Sequence, residues 1–503
     1  MASLARNTYY NITAFGLNTL LSLATVPILV GAYGLAGYGL IVLARLLLPT
    51  GILGLLEGGM PEVTARAVAT AKAKKDLEAG RRSISAAAIT AVGIGIVAGA
   101  ILAGLSEPVT RALFHSAENL IGELQIVVLL SAASLPLQLF SSVARGALEG
   151  AERFKLVRGL EVASNLAFFG IAFALSQSPS TASQAAIAYV MVWNARALVY
   201  LVILASGRIE SVHFTAHAIW LGHRAFMGHA LRLFSQKLLS IMVNFGPSVI
   251  IGLLSTSAMV GAFDIVMRIP KVVKTASGMF NGALLPFAAR SDALDRSEAL
   301  LRVVEDGTIF LATLIIAASA TVMIFAPEIL ELWLGLTDPH LPIWLSVAML
   351  WPISICSFGI GTTMLMSRVS ASSRMSALSL VSTTAYYVSA LVLFYFIGWP
   401  AFVIALVLSQ VIVTPSYWKL QQGEFGIDLS LWTHFAIRSL ALAAGFFVVF
   451  RLALERFEIG SLLLLAICGG LVFLMLLSLT AWLAIAPSVR QRWLPRLLAR
   501  LPS

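Results

Sequence analysis

Apolar runs of about twenty residues, joined by short polar segments, recur along nearly the whole chain. A helix of that length, rising about 1.5 Å per residue, crosses the roughly 30 Å of a bilayer's hydrocarbon. The runs fall near 10–32, 38–60, 84–104, 121–144, 159–176, 184–205, 233–254, 258–285, 305–326, 341–366, 375–397, 400–418, 434–451 and 461–485. The pattern predicts an all-α polytopic membrane protein with about 14 transmembrane helices. Pro49 and Pro270 fall inside the second and eighth runs. Proline there breaks or kinks a helix.

Polar positions inside the runs add a second pattern. The first run carries Asn11, Asn18 and Ser22; the seventh carries Lys237, Asn244 and Ser248. Both sets step by seven and then four residues, which keeps each on one helical face. Gly37-Tyr38 and Gly261-Ala262-Phe263 follow, then Arg45 and Arg268, then Pro61…Arg66 and Pro286…Arg290. The order predicts two equivalent halves in parallel orientation. The expected layout is an N-lobe at 1–209 (spans 1–6), an amphipathic linker at 210–230, and a C-lobe at 231–420 (spans 7–12). Spans 13 and 14 with a basic tail complete it at 421–503. The linker and the tail from Val489 read as basic amphipathic helices on the inner leaflet.

Composition agrees. The chain has 503 residues, of which 59% are hydrophobic and 12% charged. That is about half the charged fraction of a soluble protein. Cys356 and Cys468 sit in apolar runs, so no disulfide framework is expected. The net charge of +10 would suit nucleic acid if it were clustered. Instead Lys and Arg concentrate in alternate short loops, and the opposite loops hold only Arg111, Arg451 and Arg456. That asymmetry predicts cytoplasmic termini and no nucleic-acid partner. The outer loops are too short for a catalytic domain, as a membrane glycosyltransferase or polysaccharide polymerase would need. There is no Gly-Lys dipeptide, hence no P-loop, and no nucleophile–base pair. The expectation is transport rather than enzymology, with no cofactor beyond a coupling H⁺ or Na⁺.

The charges inside the spans carry the candidate chemistry. Asp264, Arg268, Lys271 and Lys274 fall at roughly 0°, 40°, 340° and 280° around one helix, an arc of about 120°. Asp264 and Arg268, at i and i+4, can neutralise each other, but one carboxylate cannot neutralise three cations. Buried cations face a bundle interior or a wet cavity, so this stripe predicts an anion-attracting wall. Arg45, Arg196 and Lys237 are further candidates. Each has a bland alternative: snorkelling for Arg45 and Lys237, and pairing with Glu161 for Arg196. Asn11, Asn18, Asn244 and Ser248 serve either as interhelical hydrogen bonds or as lining for sugar hydroxyls. Glu57 and Glu62 bracket the inner end of the second span, as a solvated helix end or as a gate. His213 and His217, at i and i+4, read as a wet interfacial face rather than a metal site.

Asn7-Thr-Tyr-Tyr-Asn11, Pro27, Gly34-Leu-Ala-Gly37-Tyr38-Gly39 and Gly261-Ala-Phe-Asp264 resemble Wzx-type polysaccharide-export flippases. These belong to the multidrug/oligosaccharidyl-lipid/polysaccharide exporter superfamily. The resemblance implies two six-helix lobes around a central cavity lined by spans 1, 2, 7 and 8. It implies alternating access that moves undecaprenyl-pyrophosphate-linked oligosaccharide from the inner to the outer leaflet of the bacterial inner membrane. Membrane lipids, a polysaccharide polymerase and chain-length machinery are the partners it suggests. Arg45 and Arg268 fall where the superfamily's lipid II flippases place cavity arginines. The drug exporters of the superfamily rely on acidic cavities; here Asp264 is the main mid-span carboxylate and is outnumbered.

Overall fold

Gly34 decides the first element. Helix α1 runs Ala2–Leu46, but Gly34 within it has φ 66° and ψ −178°. Only glycine adopts that conformation readily. The bend divides the first expected span from the second. The helix then stops three residues before Pro49, and proline disfavours helical geometry at the residue preceding it. A 3₁₀ turn over Ile52–Glu57 leads into α2 (Met60–Lys74).

The computed structural model describes residues 2–206, 223–293, 297–365, 369–457, 459–487 and 489–490. Among them the protein is almost entirely helical and divides into two compact units, Met1–Asp264 and Ile265–Ser503. The first unit continues with α3 (Leu77–Gly104), α4 (Ser106–Leu113), α5 (Ile121–Gly150), α6 (Phe154–Ser176), α7 (Ala182–Ala205) and α8 (His223–Leu254). It ends in the first turns of α9 (Ser257–Ala293). The second unit holds the rest of α9 and α10 (Ser297–Ile324), α11 (Ala326–Leu334), α12 (Leu341–Ala348) and α13 (Leu350–Leu365). It is completed by α14 (Val369–Ile397), α15 (Pro400–Phe425), α16 (Leu429–Leu454) and α17 (Leu462–Leu479). The division falls at Asp264, inside α9. Positions 210–222 of the expected linker, with His213 and His217, lie outside the described residues, and His223 onward forms the start of α8. The basic tail beyond Arg490 and the side chains of Pro286 and Arg290 also lie outside them.

Twelve helices among the described residues are long and apolar enough to cross a membrane, against about fourteen expected. The difference has two causes. Tyr9–Leu46 counts as one helix although it holds the first span and much of the second, and α9 is too charged to qualify.

In the first unit α5 packs against α3, α7 and α2, and α1 lies on α6 and α7. Ile84, Leu139, Val143, Leu148 and Val157 are fully buried there. In the second unit α10 packs on α13 and α16 around Val304, Ile309, Met364 and Trp432. Leu463, Leu471, Ile437 and Val449 stay exposed on α16 and α17. Those faces suit hydrocarbon, where an apolar side chain loses nothing by remaining uncovered.

Candidate functional site

Arg45 sits in the last turn of α1 against an aromatic wall. Its guanidinium carbon lies 5.2 Å from the centre of the Tyr189 ring. Tyr189 stacks on Trp193 with ring centres 4.0 Å apart and planes 24° apart. The stack forms because positions four apart share one face of α7. Phe168 of α6 meets Tyr189 edge-on at 5.0 Å. A guanidinium over an aromatic face gains about 0.5–2 kcal/mol, more as water is removed. Arg45 is thus held between helices, not simply snorkelled outward. Nothing in the local pattern singles out Tyr189 and Trp193, although an aromatic pair at i and i+4 is visible in it.

Just before Arg45, α1 crosses the start of α9 at very close range. A Cβ on Gly39 would stand 1.7 Å from the Ser257 carbonyl oxygen, and one on Gly261 would stand 2.5 Å from the Leu35 oxygen. Only small residues permit such an approach. At this crossing the Tyr38 hydroxyl donates to Asp264 Oδ2 at 2.5 Å, and the Tyr38 side chain is buried. Helical spacing pairs Asp264 with Arg268 and gives no sign of Tyr38 as its partner.

Six other residues expected to line a cavity have the following surroundings. Lys237 Nζ lies 2.7 Å from Glu57 and 3.4 Å from Glu62, so it is neutralised rather than held out for an anion. The contacts join α8 to the 3₁₀ turn and to the first turn of α2. Asn11 Oδ1 accepts from Arg158 Nε, and Asn18 Oδ1 accepts from Asn165 Nδ2, both at 2.8 Å. These are interhelical bonds between α1 and α6. In the seventh span Asn244 donates to the Ser240 carbonyl of its own helix, and Ser248 is buried. Arg196 does not pair with Glu161: that carboxylate is taken by Arg158 at 2.8 Å, and Arg196 lies 5.1 Å over the Trp193 ring.

In the second unit Arg268, Lys271 and Lys274 are half-buried along α9. Lys274 Nζ stands 4.5 Å over the ring of Trp351, whose side chain is almost fully buried on α13. The same unit contains an apolar cavity of about 310 Å³ lined by Ile316, Ile353, Val411, Trp418, Phe435 and Leu440 among others. Among the described residues no three His, Cys, Asp or Glu side chains converge as metal ligands.

No family model matches the sequence, and no curated protein matches it. Solved structures do. The lipid II flippase MurJ in an inward closed conformation aligns with TM-score 0.70 and 11% identity, over 94% of this chain and 98% of that one. An inward-facing multidrug resistance MATE family transporter of the MOP superfamily aligns with TM-score 0.67 and 14% identity, over 83% and 98%. A MATE structure in complex with MaL6 aligns with TM-score 0.59 and 16% identity, over 84% and 96%. At these identities the likeness concerns the fold. The chain has the fold of MOP-superfamily transporters.

Proposed function

We propose that this protein is a flippase carrying undecaprenyl-pyrophosphate-linked oligosaccharide from the inner to the outer leaflet of a bacterial inner membrane, for polysaccharide biosynthesis. Both termini are cytoplasmic in this reading, and a polymerase and chain-length machinery act downstream. The observation that carries it is the sign of the half-buried charge. Arg45 in the first unit and Arg268, Lys271 and Lys274 in the second outnumber Asp264, the main mid-span carboxylate. Cations at such depth are costly unless they serve an anion or a wet pathway. Arginine and lysine suit a pyrophosphate, arginine through paired N–H donors and lysine as a point charge.

The remaining features fit the same task. The apolar cavity of the second unit accommodates part of a prenyl chain. Lys237 with Glu57 and Glu62 acts as a gate that must open and re-form during transport. Asp264, hydrogen-bonded by Tyr38, is the coupling candidate for H⁺ or Na⁺. Transport then depends on the substrate's different affinity for the two access states, not on tight binding as such.

Export assays of Arg268→Ala and Lys271→Ala test the proposal. Both are expected to abolish polysaccharide export while the protein stays inserted and abundant, and prenyl-linked repeat units should accumulate inside. Normal export from both variants would sink it. The fold shared with MATE transporters keeps one competitor in play, a cation-coupled drug exporter. In that case loss of the protein would sensitise cells to cationic drugs and leave lipid-linked glycans unchanged.

A further inference from the structure

Helices α5 and α7 of the first unit pack along each other with polar side chains in the seam. On α5, Ser131, Ser134, Gln138, Ser142, Arg145 and Glu149 recur in steps of three or four residues. On α7, Trp193, Arg196 and Tyr200 keep the same rhythm. Residues so spaced share one face of a helix.

The middle of the seam satisfies itself. Gln138 Nε2 donates to Asn194 Oδ1 at 2.8 Å, and Asn194 Nδ2 donates to Ser134 Oγ at 2.6 Å. Toward the Gly150 end of α5 the pairing fails. Arg145 Nε, Trp193 Nε1, Arg196 Nε and the Tyr200 hydroxyl are buried and make no hydrogen bond. Trp193 is 6% exposed and Tyr200 2%.

Arg196 lies 5.1 Å over the Trp193 ring, Tyr200 follows one turn later on the same face of α7, and Arg145 lies on α5, which packs along that helix. Arg145 and Arg196 lie within electrostatic reach of each other and of Tyr200. The carboxylates that face them are already engaged. Glu149 and Glu161 both hold Arg158, at 3.2 and 2.8 Å, and Glu57 holds Lys237 at 2.7 Å. Two like charges with unmet donors repel in a low-dielectric interior. The arginine and indole N–H groups can only donate. What satisfies all of them at once is a small group bearing several acceptor oxygens and negative charge, the chemistry for which the guanidinium fork is best suited.

We propose that Arg145, Trp193, Arg196 and Tyr200 bind a phosphate-class oxyanion inside the first unit. The site adjoins Arg45, whose partner Tyr189 stacks on Trp193, and does not include Arg268, Lys271 or Lys274. Arg196 belongs to it rather than to the substrate path. The phosphate comes either free from solution or as the headgroup of an anionic lipid.

The test uses the full-length protein in nanodiscs of zwitterionic lipid, with two radiolabelled probes, orthophosphate and dioctanoyl phosphatidic acid. Saturable binding of one probe per chain is expected. It should weaken about tenfold or more in Arg145→Gln and in Arg196→Gln, the scale of a lost charge-assisted hydrogen bond. Trp193→Phe keeps the ring and removes only the donor, and should weaken binding several-fold. This variant guards against a misfolded glutamine variant. Arg268→Gln should bind as wild type, so the outcome does not depend on the flippase reading. Whichever probe binds names the source. Failure of both probes to bind, or binding unchanged in both Arg145→Gln and Arg196→Gln, overturns the proposal.

Discussion

Substituting Gly39 by alanine adds one methyl group where α1 crosses the start of α9. The new Cβ would stand 1.7 Å from the Ser257 carbonyl oxygen and 2.6 Å from its carbonyl carbon. Neither neighbour is a side chain that can rotate away, so the two helices must separate by more than about 1 Å to restore contact distances. Overpacking of this kind costs about 1–3 kcal/mol. At roughly 2–4 °C per kcal/mol for a unit of this size, the apparent unfolding midpoint should fall by about 2–12 °C. The separation should also break the Tyr38–Asp264 hydrogen bond, which sits at the same crossing. Intrinsic tryptophan fluorescence during heating in mild detergent reads the change, with buried Trp193 reporting on the first unit. Gly93→Ala is the control. It lies within α3, where an added Cβ meets nothing within 4 Å. That substitution should be neutral or stabilising by up to about 1 kcal/mol. A Gly39→Ala protein as stable as the Gly93→Ala protein would refute the close crossing.

Three further outcomes are expected. Lys237→Ala leaves Glu57 buried without its cation and should lower stability by up to about 3–5 kcal/mol; the charge-swapped pair Lys237→Glu with Glu57→Lys should recover most of it in the same melting assay. Asn18→Leu removes one interhelical hydrogen bond to Asn165 and should cost only about 0.6 kcal/mol, with export retained, because such bonds average that value in membranes. Asp428 caps α16, and the Ser430 hydroxyl and N–H hold its carboxyl below the ordinary aspartate range. Its stabilising effect should therefore be complete above about pH 3.9 and fade as pH falls through the lowered value, and Asp428→Asn should remove that acid dependence in melts taken across pH.

The span pattern is legible because hydrophobic length is a local property. The two places where the helix count differs are special for reasons the chain also displays. Gly34 is a non-helical kink that joins two helical stretches into one element, and α9 carries too many charges for an apolar window. The cationic stripe of α9 is legible for the same reason, since one helix turns its own residues by a known angle. The aromatic wall is not. Tyr189 and Trp193 read as ordinary core residues until Arg45, distant in the chain, is laid against them.

The sequence by itself therefore determined that this is a helical membrane protein, roughly where its spans lie, and that several cations fall inside them. Those properties depend on burial length and on the rotation of a single helix. Only the tertiary structure decided which cation has a partner. Arg196 and Lys237 look alike as lone cations in apolar runs. Yet Lys237 meets Glu57, 180 residues away in the chain. Arg196 lies over Trp193 with its Nε unbonded, beside Arg145. Charge neutralisation over a few ångströms depends on how separate helices are brought together, and no local spacing encodes that.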